Sequence, residues 1–250
     1  MEMDALEAVV RWLKDSKKTV ALTGPELSME SGLPDFAGES FNPHISEFWE
    51  NRDVRAAYWK KLHEIYPKLV SAKPNPAHEA ISELGMLGYI EYLFTQAADG
   101  LHRQFEVPPV IELNCSIQWV DCSECGTNRS IEAILSQLEK GAELPICETC
   151  GKDRMKPPIS FPGQPMPHWE LREAWMQLHN CDVFLAVGAF LDRQPVSGFP
   201  ALAKEQGAKI VIISQRESPA DDFADAVVYG KPSQVMPYLL DKVKEDIEYS

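Results

Sequence analysis

Short apolar segments alternate with helix-like segments along most of the chain, and this alternation constrains the fold more than any other feature. Each apolar segment has the length of a buried strand, whereas the segments between them carry the spacing of amphipathic helices. This order predicts a doubly wound α/β fold, a parallel sheet covered on both faces that binds ligands beyond the carboxyl ends of its strands. The predicted strands are 18–23, 90–94, 110–113, 183–187, 210–213 and 226–229, and the predicted helices are 4–12, 76–87, 169–178, 200–206 and 232–247.

Two segments interrupt the alternation. Residues 39–73 are rich in aromatic and charged residues at helical spacing, so we expect a helical insert whose aromatic side chains pack rather than contact a cofactor. Residues 121–156 contain one helix-like stretch, 131–140, and are too few to form a core of their own. We therefore predict a large domain of residues 1–38, 74–120 and 157–250, a helical insert of residues 39–73, and a small module of residues 121–156.

The small module contains two Cys-x2-Cys pairs, each followed by glycine and separated by residues 126–146. Four thiolates suit a closed tetrahedral site for Zn²⁺, which holds a module together rather than catalysing a reaction. Four buried reduced thiols are one alternative. A redox Cys-x-x-Cys pair is another, although neither pair begins a helix after a strand. We predict a structural zinc ion bound by Cys122, Cys125, Cys147 and Cys150.

The charge of the chain excludes some classes of partner. Its 250 residues include 24 Lys and Arg against 38 Asp and Glu, a formal net charge of −14. Nucleic acids and anionic membrane surfaces are bound mainly through clustered Lys and Arg, so neither is an expected partner. No apolar run reaches the ~18 residues of a membrane-spanning helix. The acidic start lacks the basic region and apolar core of a signal peptide, which favours a cytoplasmic location.

The loop after the first predicted strand is where a phosphate-binding turn is expected. Gly24 follows this strand directly, as a glycine does where backbone amides approach a pyrophosphate. Pro25, however, removes an amide donor, and Glu26 adds a negative charge where a phosphate would lie. Taken alone, the loop is a weak and partly contradictory indication of a dinucleotide site.

Three loops together resemble the motifs of the sirtuin family, the NAD-dependent protein-lysine deacylases. Residues 23–36 are similar to T-G-A-G-I-S-x-x-S-G-I-P-D-F-R, residues 95–102 to T-Q-N-I-D-x-L-H, and residues 112–116 to E-L-H-G-S. The cysteine pairs and the segments 74–78 and 156–158 match further motifs in the same order, over about residues 17–240. The resemblance implies a Rossmann-like large domain, a small zinc module, NAD as cofactor, and a substrate peptide or protein in the cleft between them. The positions that match the family's cofactor site are Gly24, Ser28, Asp35, Phe36, Gln96, Asp99 and Gly188.

The resemblance also locates the family's catalytic positions, and there this sequence departs from the family. Asn114 occupies the position of the histidine general base, and an amide has no lone pair that titrates near neutral pH. Ala97 replaces the asparagine that positions a ribose, and Ala37 replaces an arginine. Three further motifs of the family are also substituted. Ala189 and Phe190 stand where the family has the hydroxyl residues that contact phosphate, and Ser214 and Arg216 stand where it has the residues that hold the adenosine ribose. On the substrate side, Pro162 and Gln164 replace the family's residues.

These substitutions determine what function we expect. The first hypothesis is a sirtuin-like protein that is catalytically silent or severely impaired for NAD-dependent deacylation, binds NAD weakly or not at all, and acts as a binding or regulatory module. The alternative is an active NAD-dependent deacylase or ADP-ribosyl transferase of the same class that uses rearranged residues. A third hypothesis is an enzyme for another substrate that uses Glu26 and Cys115, although Cys115 is more typical of a small buried side chain. We interpret His102 as a structural or surface histidine.

Overall fold

The computed structural model describes residues 2–36 and 38–245, and a parallel sheet lies at its centre, which confirms the predicted fold class. Ala37, at the position of the expected arginine, lies outside the described residues. In chain order the strands are β1 (Thr19–Thr23), β2 (Tyr92–Thr95), β3 (Val110–Glu112), β4 (Trp119–Cys122), β5 (Asn128–Ser130), β6 (Met155–Lys156), β7 (Val183–Val187), β8 (Lys209–Ser214) and β9 (Ala226–Tyr229). Within the described residues, six of them form the parallel sheet in the order β3-β2-β1-β7-β8-β9. Strands β2 and β3 therefore lie on one side of β1 and strands β7 to β9 on the other. The switch point between β1 and β7 is where sheets of this kind bind ligands.

Helices cover both faces of this sheet. Capping residues in the sequence mark where some of them begin. The Asn75 side chain accepts a hydrogen bond from the backbone N–H of Ala77, and His78 reaches back to the N–H of Asn75, which together cap one helix. Among the described residues, no helix combines the length and apolar character needed to cross a membrane. The helices are α1 (Glu2–Asp15), α2 (Pro25–Glu30), α3 (Ile45–Glu50), α4 (Arg52–Ser71), α5 (Pro76–Met86), α6 (Ile131–Glu139), α7 (His168–Leu178), α8 (Phe199–Glu205) and α9 (Pro232–Lys244).

The two faces of the sheet belong to separate hydrophobic clusters because side chains alternate along a strand. On β1, Ala21 packs in the cluster that holds the buried faces of α1, α5 and α9. Its neighbours Val20 and Leu22 pack in the opposite cluster, with α7 and α8. Every residue of β1 is buried, and this explains why its sequence is a continuous short apolar run rather than an alternating one.

The helical insert and the small module share one further hydrophobic cluster. Strands β4, β5 and β6 form a small antiparallel sheet, and buried residues of α6 such as Ile131 pack in the same cluster as Phe48 and Trp59 of the insert. The expected packing role of the aromatic residues is confirmed, since Phe48 and Trp59 are at most 1 % exposed. The Arg55 guanidinium crosses the boundary and donates to a carboxylate oxygen of Asp153 at 3.1 Å.

Some element boundaries differ from the sequence predictions. The second strand begins at Tyr92 rather than at residue 90, because its partner β1 begins only at Thr19 and pairs Val20 with Tyr92. The strands of the small module were not predicted, since each spans two to four residues and carries no long apolar run. The last two residues of the predicted helix 232–247 lie outside the described residues.

Candidate functional site

The four cysteines of the small module converge on one point. Their Sγ atoms all lie within 4.8 Å of one another, and the pairs Cys122–Cys150 and Cys125–Cys147 are each 3.6 Å apart. A tetrahedral zinc site with Zn–S bonds of about 2.3 Å places its sulfurs about 3.8 Å apart, so the arrangement fits zinc. The thiols are free, and their separation is far longer than a disulfide bond. Four thiolates complete the coordination shell, which is the arrangement of a structural rather than a catalytic metal.

Glycine shapes both turns of this cluster. Gly126 and Gly151 have φ angles of +71° and +72°, a left-handed conformation that glycine adopts without strain. The backbone N–H of each glycine donates to the carbonyl of the first cysteine of its pair, Cys122 or Cys147, at 2.9 and 2.8 Å. The sequence spacing therefore produces two equivalent turns, each of which directs two sulfurs towards the same point.

A cleft of about 350 Å³ lies between the carboxyl ends of the parallel strands and the segment that leads from the small module to α7. The predicted site residues Asp35, Gln96 and Asn114 line it. Its lining also includes residues that the sequence analysis did not single out, because they lie in an insert and in loops without a motif. Among them are Glu39, His44, Asp192, Arg193 and Gln194.

The other predicted cofactor residues do not line this cleft. Ser28 and Asp99 are each 2 % exposed, and Asp99 Oδ1 accepts a hydrogen bond from the Leu101 N–H at 2.9 Å. Burial raises the pKa of Asp99, and the Ser28 hydroxyl opposes that shift. Phe36 is 2 % exposed and packs its ring 5.1 Å from that of Phe41, so it contributes to the hydrophobic cluster of the insert. The glycines Gly24 and Gly188 are buried where the loops after β1 and β7 meet.

Asn114 lies at the floor of the cleft, after β3. It is 9 % exposed, and its Nδ2 donates to the backbone carbonyl of Gln96 at 2.8 Å. The amide thus joins the loops after β2 and β3 through a neutral hydrogen bond, which requires no transfer of a proton. Among the described residues, Gln96 Oε1 is a buried acceptor without a hydrogen-bond partner, so a donor on a bound ligand would find a partner there.

Two buried histidines lie beside the carboxyl end of β1 and were not recognised as a pair in the sequence. The rings of His78 and His102 are 4.5 Å apart, and His102 Nε2 lies 2.8 Å from Thr23 Oγ1. Burial lowers the pKa of His78 to about 4 and lowers the pKa of His102 well below its usual range, with the neighbouring His78 adding to the second shift. Both imidazoles are therefore neutral at pH 7, and the structural interpretation of His102 is supported.

We expect this pair to make the fold sensitive to acid. The pKa of such a histidine is about 6.5 in the unfolded chain and lower in the folded protein. Its contribution to stability is complete at a pH above about 6.5, and it is lost as the pH falls towards the pKa of the folded state. Between pH 7 and pH 4.5, the titration of His78 alone should lower the free energy of unfolding by about 2 kcal/mol. Urea unfolding at several pH values will show a weaker pH dependence in His78→Gln, which retains a side chain able to cap α5. His179→Gln, a change at an exposed histidine, should leave the dependence unaltered, and an unaltered dependence in His78→Gln would contradict the prediction.

Cys115 is half-buried, whereas the sequence favoured a small buried side chain at this position. Its φ angle is +58°, which a residue other than glycine adopts only with strain. Burial, aided by the carboxylates of Glu170 and Glu112, raises the pKa of the Cys115 thiol to about 11. Such a thiol forms little thiolate at neutral pH, which disfavours a nucleophilic role. The third hypothesis gains no support from Glu26 either, since that side chain does not line the cleft.

Comparison with known proteins agrees with this architecture. A family model described as the Sir2 family matches residues 24–195 of the chain. An NAD-dependent protein deacetylase 1 of Pyrobaculum aerophilum is 36 % identical over 251 residues, covering 96 % of each protein. The solved structure of Sir2Af2 bound to a myristoylated histone peptide is similar with a TM-score of 0.82 at 30 % identity, covering 99 % of this chain and 100 % of that one. A Sir2 complex with a p53 peptide and NAD+ has a TM-score of 0.85 at 29 % identity, covering 98 % and 99 %.

The fold and site define a class of α/β proteins in which a ligand cleft lies at the carboxyl ends of a doubly wound sheet and a small four-cysteine module is inserted in the chain. The match over residues 24–195 and the 36 % identity across nearly the whole chain then show that the protein belongs to the Sir2 family. This confirms the resemblance found in the sequence. The family is enzymatic, and the names of the relatives support the expected alternative, an active NAD-dependent enzyme, better than the expected silent protein.

Proposed function

We propose that this Sir2-family protein binds acyl-lysine peptides or proteins in its cleft and does not deacylate them by the base-assisted, NAD-dependent route of its family. The observation that carries the proposal is Asn114. This residue occupies the family's general-base position, and its amide is held by the carbonyl of Gln96 at 2.8 Å. A general base contributes about 10²–10⁴-fold to a rate, and an amide cannot supply that contribution.

The charges of the cleft support a peptide ligand. The charged side chains among its described lining residues are the carboxylates of Asp35, Glu39 and Asp192 and the guanidinium of Arg193, with His44 beside them. An excess of carboxylates attracts cationic segments and repels anionic ones. Peptides in which basic residues flank the acylated lysine are therefore the preferred ligands. The peptide complexes of relatives, including a myristoylated histone peptide, support the same class of ligand.

A second candidate function is an active NAD-dependent deacylase or ADP-ribosyl transferase with rearranged residues. The names of the relatives favour it. In the cleft, one observation favours it as well: the imidazole of His44 is exposed and lines the cleft, and histidine is the side chain best suited to general-base catalysis at neutral pH.

One pair of measurements separates the two candidates. Fluorescence anisotropy without NAD should detect binding of acyl-lysine peptides, with higher affinity for basic than for acidic flanking residues and weaker binding at high salt. Mass spectrometry with NAD should show deacylation at least about 10²-fold slower than for the Pyrobaculum relative, used as the positive control. Turnover at the rate of that relative would reject our proposal. If His44→Gln then abolished that turnover, the second candidate would replace the first.

A further inference from the structure

The Glu26 carboxylate lies between loops that a nucleotide would be expected to contact. The side chain is 3 % exposed. Its Oε1 accepts a hydrogen bond from the Ser214 hydroxyl at 3.1 Å, and its Oε2 accepts one from the backbone N–H of Gln215 at 3.1 Å. Glu26 follows β1, whereas Ser214 and Gln215 stand at the end of β8, two strands away in the sheet. One side chain thus spans the edge of the sheet where doubly wound folds bind their ligands.

The loops on either side of this carboxylate are in direct contact. The N–H of Glu26 donates to the carbonyl of Gly188 at 3.2 Å. A Cβ atom built on Gly188 would lie 2.8 Å from the Cβ of Glu26, and one built on Gly24 would lie 2.3 Å from the Cα of Ala189. Neither glycine could carry a side chain without moving its neighbour. The space between the loops after β1 and β7 is therefore filled by the chain itself.

Of the neighbouring side chains, Ala189 and Phe190 have no polar atom to offer a phosphate, whereas the guanidinium of Arg216 could donate to one. Ala189 has no polar side-chain atom and is 4 % exposed. Phe190 lines the cleft, and the Arg216 guanidinium stacks 4.3 Å from the centre of its ring. In the described part of the chain, no Lys, Arg or His nitrogen lies within 4.0 Å of the Glu26 carboxylate. Its charge therefore meets an approaching phosphate without a paired cation, and a like-charge contact weakens binding.

These residues do not fit NAD as the fold would place it. We propose that the Glu26 carboxylate is a built-in occupant of the nucleotide site beside the cleft. It engages the hydroxyl of Ser214 and the N–H of Gln215, so that this site excludes dinucleotides and other phosphate-bearing ligands while the cleft takes a peptide. This inference deepens the proposed function and rests on it for the identity of the peptide ligand.

The test measures nucleotide binding by calorimetry, with ADP-ribose and NAD as the probes and no peptide present. Wild-type protein should bind both weakly. Glu26→Ala removes the charge and frees both donors, so it should bind ADP-ribose at least about tenfold more tightly. This factor corresponds to a like-charge repulsion of the size that shifts a pKa by one unit. Glu26→Gln, which removes the charge and keeps the size of the side chain, should show a smaller gain. Glu205→Ala removes an exposed glutamate from the end of α8 and should not change the affinity.

Two results would overturn the inference. One is micromolar binding of NAD by the wild-type protein, and the other is the absence of any gain in both Glu26 variants. Glu26→Gln keeps the second outcome informative if the alanine variant fails to fold. The result is distinguishable from a failure of the proposed function, because peptide binding is measured without a nucleotide and nucleotide binding without a peptide.

Discussion

Removing the metal from the four-cysteine cluster, by a chelator or by Cys147→Ser, will unfold the small module and destabilise the protein. Structural zinc contributes about 10–16 kcal/mol to the folding of isolated zinc-finger peptides, because the site forms only in the folded state. The loss should extend beyond residues 121–156, since Ile131 and Cys147 share a hydrophobic cluster with Phe48 and Trp59. A loss of only about 4 kcal/mol would already lower the Tm by about 8–16 °C in a protein of this size.

Metal analysis should accompany this measurement. Purified wild-type protein should contain close to one zinc ion per chain, and Cys147→Ser should contain much less. Cys181→Ser is the matched control, because Cys181 is a buried free thiol far from the cluster in sequence and its Sγ donates to the Leu178 carbonyl, as a serine hydroxyl could. This control should bind zinc normally and keep a Tm near that of the wild type. A metal-free protein with an unchanged Tm would contradict the prediction.

Restoring histidine at position 114 will not by itself restore deacylation. A general base acts only on a reactant held within hydrogen-bond reach. Asn114→His supplies the base, but Glu26 still occupies the donors at the end of β8, and Ala97 still lacks the polar group that the family uses to position a ribose. The single variant should therefore be as inactive as the wild-type protein.

Activity should return only when several positions change together. The combination of Asn114→His, Ala97→Asn, Pro25→Ala and Glu26→Gly should raise the rate of NAD-dependent deacylation by about 10²–10⁴-fold, the contribution of a positioned base. Residues that act as one catalytic unit are strongly non-additive, which is why each single change should have almost no effect. The assay follows acyl-lysine peptides by mass spectrometry, with Asn180→His as a control at an exposed asparagine. Robust turnover by Asn114→His alone would mean that the nucleotide site is intact.

The prediction of the zinc ligands came from sequence because it depends on local spacing. Two residues between the cysteines of a pair, followed by glycine, are enough to form a turn that directs both sulfurs to one side. The same holds for the parallel sheet, since apolar runs such as 183–187 and the helical segments between them reflect burial at each residue. The resemblance of the loops to sirtuin motifs was likewise readable from residue order alone.

The sequence by itself thus determined the class of fold, the candidate zinc ligands and the loss of a titratable group at position 114. Tertiary structure decided which distant residues meet. Glu26 contacts Ser214 and Gln215 almost 190 residues later in the chain, and the His78 ring contacts that of His102. Neither contact has a signature in sequence spacing, because the position of one strand end beside another depends on the order of strands in the sheet. That order arises from the packing of the whole chain, whereas helix and strand periodicity arises from neighbouring residues.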